Sequence, residues 1–389
     1  MQRRPDVDAA SAQAAAPEVL GAFGADPAVA NADAWRERRA PLLRAAFQAE
    51  IYGQMPDLPA AHVAARRQVA VPALAGSARV EEWNVALGEE SFNMLVVTPL
   101  HAAGPLPLIV MQTFCGNRAA LPGHPRGLAA SNVPGECNMA IAQPLAELIL
   151  GRHISTPPMA EIMARGYAVA TFYPADVVPD SAELALPVLE QLAGSPRAGA
   201  LAVWAGLYSR AYDVLAEDPR FDPRRIAIWG HSRHGKAALL AGAFDSRFAA
   251  VIAHQSGRFG ASPTASNAGE RRDQIVKSYS YWFTDRLTNE SLLSVDQHQL
   301  IALNAPQPVL IGNGAGDGWS DPTGAWRALQ GAHDVYALLG SRGLAQTTPD
   351  APDYSGDLVY IKRPGGHGIT SADWRMFMAF LDAHLQPPR

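Results

Sequence analysis

The stretch Arg224–Leu240 constrains this chain more than any other. Ile226, Ala227, Ile228 and Trp229 are apolar at both parities, the pattern of a strand covered on both faces. Gly230 and Gly235 bracket a turn, and residues 236–245 are rich in Ala and Leu, good helix formers. Strand, sharp turn and helix in that order predict an α/β architecture built on a mostly parallel sheet. Ser232 lies on the turn. A serine there stands clear of the sheet, beside the first free N–H groups of the helix, which is where a nucleophile needs an oxyanion site.

Two chemistries fit the turn. A G-x-S-x-G nucleophile elbow wants glycine at 234, where His234 stands, with Gly235 one place later. Gly230 to Lys236 also satisfies the phosphate-loop pattern G-x-x-x-x-G-K, but Ala237 replaces the Ser/Thr that would hold Mg²⁺. No later strand ends in a clear apolar run followed by Asp. The nucleophile reading is favoured. Lysine occurs only at 236, 277 and 362, so Lys236 on the elbow is a poor candidate for filler.

Apolar runs along the chain predict further strands at Leu106–Met111, Gly166–Phe172, Ala249–Gly257 with a polar C-terminal end, Pro308–Gly312 and Leu358–Ile361. Val80–Val85 and Phe92–Val97 read as an antiparallel pair. Helices are predicted over 34–51, 200–215 and 370–385. Strands alternating with helices place the chemistry at the strands' C-terminal ends. Residues 1–33 are Ala/Pro-rich and expected to be poorly structured. Residues 34–389 are expected to form a single domain, with insertions near 117–160 and 258–290.

With 48% hydrophobic and 18% charged residues, the chain has ample material for a core. Its net charge of −5 gives no reason to expect nucleic acid or an anionic membrane as partner. Cys115 and Cys137 are the only cysteines, which excludes a cysteine-based metal site. They either pair or remain two thiols. The N-terminal residues lack an apolar signal core. The expected compartment is secreted or periplasmic if a leader has been removed, and cytoplasmic otherwise.

Three loops line up as Ser232, Asp317, His367, each after its own predicted strand. This is the chain order of α/β-hydrolases. A hydroxyl attacks well only when a base takes its proton. An imidazole does that, and a carboxylate fixes its tautomer and stabilises the imidazolium. Singly, Ser232 could be a turn residue, Asp317 a helix cap and His367 a loop histidine. Jointly they predict a Ser-His-Asp triad, a nucleophilic mechanism that needs neither metal nor cofactor.

The elbow Gly230-His231-Ser232-Arg233-His234-Gly235-Lys236 resembles the G-C-S-R-x-G-K elbow of the glucuronoyl esterases, carbohydrate esterase family 15. It is most similar to a bacterial branch with G-H-S-R-x-G-K, and the displaced glycine is a trait of that family. Gly269-Glu270, Trp282-Phe283, Asp296-Gln297-His298, Asp317–Pro322 and Gly366-His367 agree with it too. The resemblance runs from about 35 to 385 and is weakest over 117–160. It implies hydrolysis of the ester that joins 4-O-methyl-glucuronate of glucuronoxylan to lignin alcohols. It also implies that Arg233 steadies the oxyanion, that Lys236 and Glu270 contact sugar hydroxyls, and that Trp319 lies against the uronate ring. Acetyl or aryl carbohydrate esterase activity, or carbohydrate binding with weak catalysis, are the alternatives on the same scaffold.

One position departs from the family pattern. Many members carry the triad Glu 23 residues beyond the serine, and here that residue is Gln255. Its carbonyl can accept a hydrogen bond from His367 but supplies no charge. The acid is therefore expected at Asp317, with Asp321 as fallback, although its place before Pro322 reads as a turn or helix start. His231 and His234 are expected to be packing or sugar-contact residues rather than bases, and His254 to support the site from behind or serve the structure.

Overall fold

The computed structural model describes residues 18–102, 104–129, 150–192 and 196–385. A nine-stranded sheet runs through them in the order β1-β2-β3-β5-β4-β6-β7-β8-β9. Its strands are β1 Ala61–Gln68, β2 Ala78–Leu87, β3 Glu90–Pro99, β4 Leu106–Gln112, β5 Ala168–Phe172, β6 Phe221–His231, β7 Ala250–His254, β8 Val309–Gly314 and β9 Leu358–Arg363. β1, β2 and β3 pair antiparallel, and β3 joins β5 antiparallel. From β5 to β9 every pairing is parallel.

Helices cover both faces, so the apolar runs of the central strands are buried on both sides, as the sequence pattern implied. Along β6, Ile226 and Ile228 pack into one core with Trp204, Leu239 and Leu329, whose helices are Ala200–Ala216, Arg233–Phe244 and Pro322–Leu338. Ala227 and Trp229 face the other core, with Ile162 of the helix Met159–Ala164 and Trp374 and Phe377 of the helix Ser371–Leu385. The alternation puts the last residue of β6, and the turn after it, at the C-terminal edge of the sheet.

Two regions differ from the expectations. Residues 18–33, expected to be loosely attached, are docked. Val19 and Val29 are buried in the core, and Asp26 accepts from Nε of the buried Arg39 at 2.7 Å. The Ala/Pro composition hid these anchors because they are isolated in sequence. β1 was not anticipated. It is an edge strand whose sequence, Ala-His-Val-Ala-Ala-Arg-Arg-Gln, is largely exposed and has no apolar alternation to reveal it. Cys115 is disulfide-bonded; Cys137, and residues 130–149 of the expected 117–160 insertion, lie outside the described residues.

Candidate active site

The elbow is built by collision as much as by attraction. Ser232 sits between β6 and the helix Arg233–Phe244 with φ +54° and ψ −124°, a strained backbone for a side-chain-bearing residue. Its N–H donates to the His254 carbonyl at 2.8 Å, which ties the turn to β7. The helix doubles back so closely that a Cβ on Gly230 would lie 2.0 Å from the His234 carbonyl oxygen. A Cβ on Gly235 would meet the Gly230 carbonyl at 3.0 Å and Ser256 Cβ at 3.1 Å. The displaced glycine therefore does the packing work that the general motif assigns to the preceding position.

Asp317 and His367 come from the loops after β8 and β9. His367 Nδ1 lies 2.8 Å from Asp317 Oδ2. The Ser320 hydroxyl is 3.4 Å from the same nitrogen and donates to the Gln255 carbonyl at 3.1 Å. Burial pushes the Asp317 carboxyl up. The hydrogen bond and charge of His367, with the Ser320 hydroxyl and N–H, outweigh that and hold it below the ordinary carboxylate range. The ring of His231, the residue before Ser232, has its centroid 4.7 Å from that of His367. The elbow and the histidine loop thus meet at one edge of the sheet.

Asp321 turns away from this cluster. It caps the helix Pro322–Leu338, accepting from Gly324 N at 3.0 Å, and its other oxygen takes the Ser266 hydroxyl at 2.7 Å. Gln255 does not reach the imidazole nitrogen. Its side-chain amide bonds the backbone on both sides of His367 instead.

Lys236, Glu270 and Trp319 are brought together. Lys236 Nζ donates to the carbonyls of Ser256 and Arg258 and to Glu270 Oε2, each at 2.7 Å. The other Glu270 oxygen accepts from Trp319 Nε1 at 3.0 Å, and Glu270 N–H donates to the Trp319 carbonyl at 2.8 Å. Lys236 is buried, so burial lowers its pKa while Glu270 opposes the shift. All three ammonium hydrogens have protein acceptors, and a sugar hydroxyl reaches Lys236 only by displacing one of them. Trp319 presents its ring outward, 52% exposed.

Arg233 pairs with Asp180, and its guanidinium lies 5.2 Å from the Trp282 ring centroid, 5.7 Å from Phe114 and 5.9 Å from Tyr279. Asp180 also accepts from Tyr281 Oη at 2.6 Å and Trp282 Nε1 at 2.9 Å. Sequence reasoning passed over Asp180, because a lone acid between Pro179 and Ser181 belongs to no motif. A cavity of about 250 Å³ opens here, lined by Phe114, Tyr173, Asp180, Trp204, Arg233 and His234. A larger one of about 370 Å³, around His124 and Arg152, is lined by none of the predicted site residues.

Three other histidines, His231, His234 and His254, are buried beneath the site. His231 and His254 meet through their Nδ1 atoms at 3.0 Å, and His254 Nε2 lies 3.3 Å from Asp373. Burial lowers the pKa of His231, His234 and His254, and Asp373 opposes the shift at His254.

Comparison with known proteins identifies the family. A family model described as "Glucuronyl esterase, fungi" matches residues 141–340. The carbohydrate esterase MZ0003, from an unknown prokaryotic organism, is 32% identical over 381 residues, spanning 92% of this chain and 87% of its own. The 4-O-methyl-glucuronoyl methylesterase 1 of Phanerochaete chrysosporium is 34% identical over 156 residues, 37% of this chain and 33% of that relative. The solved structure of a promiscuous CE15 esterase from a marine bacterial metagenome superposes with a TM-score of 0.83 at 30% identity, covering 95% of this chain and 96% of the other. A nucleophile-elbow fold, one matching family and full-length similarity to its bacterial members converge: the chain belongs to the glucuronoyl esterases of carbohydrate esterase family 15, carboxylic ester hydrolases of the α/β-hydrolase type.

Proposed function

We propose that the chain hydrolyses the ester of a 4-O-methyl-glucuronate side chain of glucuronoxylan, with Ser232, His367 and Asp317 as its triad. Ser232 Oγ attacks the C6 carbonyl while His367 Nε2 takes its proton, and Asp317 on Nδ1 keeps the imidazole in the tautomer whose Nε2 is free. The tetrahedral oxyanion lies against the first N–H groups of the helix beginning at Arg233, with the guanidinium held nearby by Asp180. Protonated His367 then returns its proton to the leaving alcohol, and water repeats the sequence on the glucuronoyl-enzyme. Trp319 receives the ring on its exposed face, held by Glu270, which Lys236 anchors from below. The observation that carries this reading is the 2.8 Å contact of His367 Nδ1 with Asp317 in a loop packed against the elbow.

The test is turnover of methyl 4-O-methyl-glucuronate by the wild type and by Ser232→Ala, beside acetylated xylan. Turnover of the uronate ester that disappears in Ser232→Ala supports the proposal. Release of acetate alone would assign the scaffold to a different ester. Uronate-ester turnover surviving in Ser232→Ala would remove the serine from the mechanism.

A further inference from the structure

The loop that carries His367 is Pro364-Gly365-Gly366-His367-Gly368, with three glycines in five residues and φ of +100° at Gly365 and +151° at Gly368. Such a segment has more backbone freedom to lose on ordering than almost any other sequence. A general base, however, must hold its ring to a fraction of an ångström. Something outside the loop has to supply the order.

Gln255 is placed to do so. It follows β7, is buried, and has an unfavourable φ of +48°. Its Nε2 donates to the Gly366 carbonyl at 3.0 Å, and its Oε1 accepts the Gly368 N–H at 2.8 Å. These are the backbone groups on either side of His367. Its own backbone is fixed in turn. The N–H donates to the Gly312 carbonyl at 2.7 Å, and the carbonyl takes the Ser320 hydroxyl, which also contacts His367 Nδ1. One residue thus connects the end of β7 to the acid loop and to the histidine loop.

The chemistry requires an amide. One partner is a carbonyl and needs a donor; the other is an N–H and needs an acceptor. A primary amide offers both, an ionised carboxylate only acceptors and a thioether neither to any useful degree. We infer that Gln255 is a positioning residue of this esterase, an amide clamp on the backbone either side of His367 that keeps the imidazole in register with Asp317 and Ser232. This rests on the triad assignment above. The clamp acts on the loop and has no contact with the ester.

Kinetics of Gln255→Met and Gln255→Glu on methyl 4-O-methyl-glucuronate test it, with Ser232→Ala as reference. Gln255→Met keeps the side-chain length and removes both bonds. Its kcat should fall by between about tenfold and a hundredfold, the cost of a loosely placed base, with KM within about twofold of wild type. Gln255→Glu gives the sharper signature. While protonated, its carboxylic acid donates to Gly366 and accepts from Gly368, so kcat stays close to wild type. Once ionised it faces the Gly366 carbonyl with no donor, and activity falls as pH rises, a limb the wild type lacks. The titratable groups around position 255 are Asp317 and His367 on the loops packed over it, His254 beside it on β7 with Asp373 behind, and Arg363, which donates to the Gly368 carbonyl. Burial and the Asp317 charge favour the protonated form, and the Arg363 guanidinium opposes them.

Gln255→Met with wild-type kcat, while Ser232→Ala is inactive, overturns the clamp alone. So does restoration of Asp317→Asn activity by adding Gln255→Glu, which would mean that position 255 addresses the imidazole and not the backbone. Turnover surviving in Ser232→Ala overturns the triad assignment and the clamp with it. If Gln255→Met does not fold, the pH profile of Gln255→Glu decides.

Discussion

At the scale of single residues, the two aspartates four positions apart in the loop after β8 separate cleanly. Asp317 reaches His367 Nδ1, whereas Asp321 satisfies the orphan N–H of Gly324 at a helix start. Neutralising each therefore has a different consequence. Asp317→Asn should lower kcat by about 10⁴-fold, because an amide that donates to Nδ1 selects the wrong tautomer. Asp321→Asn keeps a capping oxygen and should leave kcat within about twofold, with at most ~1 kcal/mol of stability lost. Parallel kinetics and urea titrations of the two variants check this, and equal, small kinetic losses would place the acid elsewhere. The same contrast governs Lys236. Its buried ammonium needs all its acceptors, so it is the countercharge that keeps Glu270 in place.

The element on which the site depends is the β6–turn–helix unit. Its geometry stores strain at Ser232 and is locked by the approach of the helix backbone to Gly230. A methyl group at 230 would push the His234 carbonyl away and rotate the first turn of the helix, and with it the N–H groups we propose face the oxyanion. Gly230→Ala is expected to lose activity by about 10²-fold or more even if it folds, since a displacement of about 1 Å at a reacting group costs that much. The check is kcat alongside the far-ultraviolet circular dichroism, which should change little. The elbow was legible in the sequence because a buried strand, a glycine turn and an Ala/Leu helix each leave a local signature. β1 left none, since its pairing with β2 alone makes it a strand.

Across the whole molecule, buried polar groups join segments that are far apart in the chain. Arg258 donates to the carbonyls of Glu270, Thr264, Ser266 and Ala268, and so organises the insertion that supplies Glu270. Asp373, at the start of the last helix, bonds Arg363 Nε of β9 at 2.7 Å, the Thr370 hydroxyl at 2.7 Å, and approaches His254 of β7. Burial pushes the Asp373 carboxyl up, but His254 and Arg363 outweigh it and leave it well below the ordinary carboxylate range. A carboxylate whose folded pKa is depressed contributes stability that is complete above its unfolded pKa of about 4 and is lost as pH falls toward the folded value. Asp373→Asn should therefore cost about 3 kcal/mol at neutral pH, as removal of one partner of a buried ion pair does, with the gap from wild type narrowing below about pH 4. Urea midpoints at several pH values measure that gap, and a gap constant with pH would rule out the ion pair as its source. These long-range bonds mark the division between what could be read from the chain and what could not. Periodicity, glycine placement and the order Ser232, Asp317, His367 are properties of neighbours along the polypeptide, so the sequence by itself determined the parallel sheet, the elbow and the kind of chemistry at its edge. Which carboxylate meets the imidazole, that Gln255 grips backbone and not ring, that Asp180 holds Arg233 and that Lys236 is saturated depend on where separate loops converge. Only the tertiary structure decided them, because a hydrogen bond is set by distance and direction in space, and residues such as Gln255 and Gly366, 111 positions apart, leave no joint pattern in a linear chain.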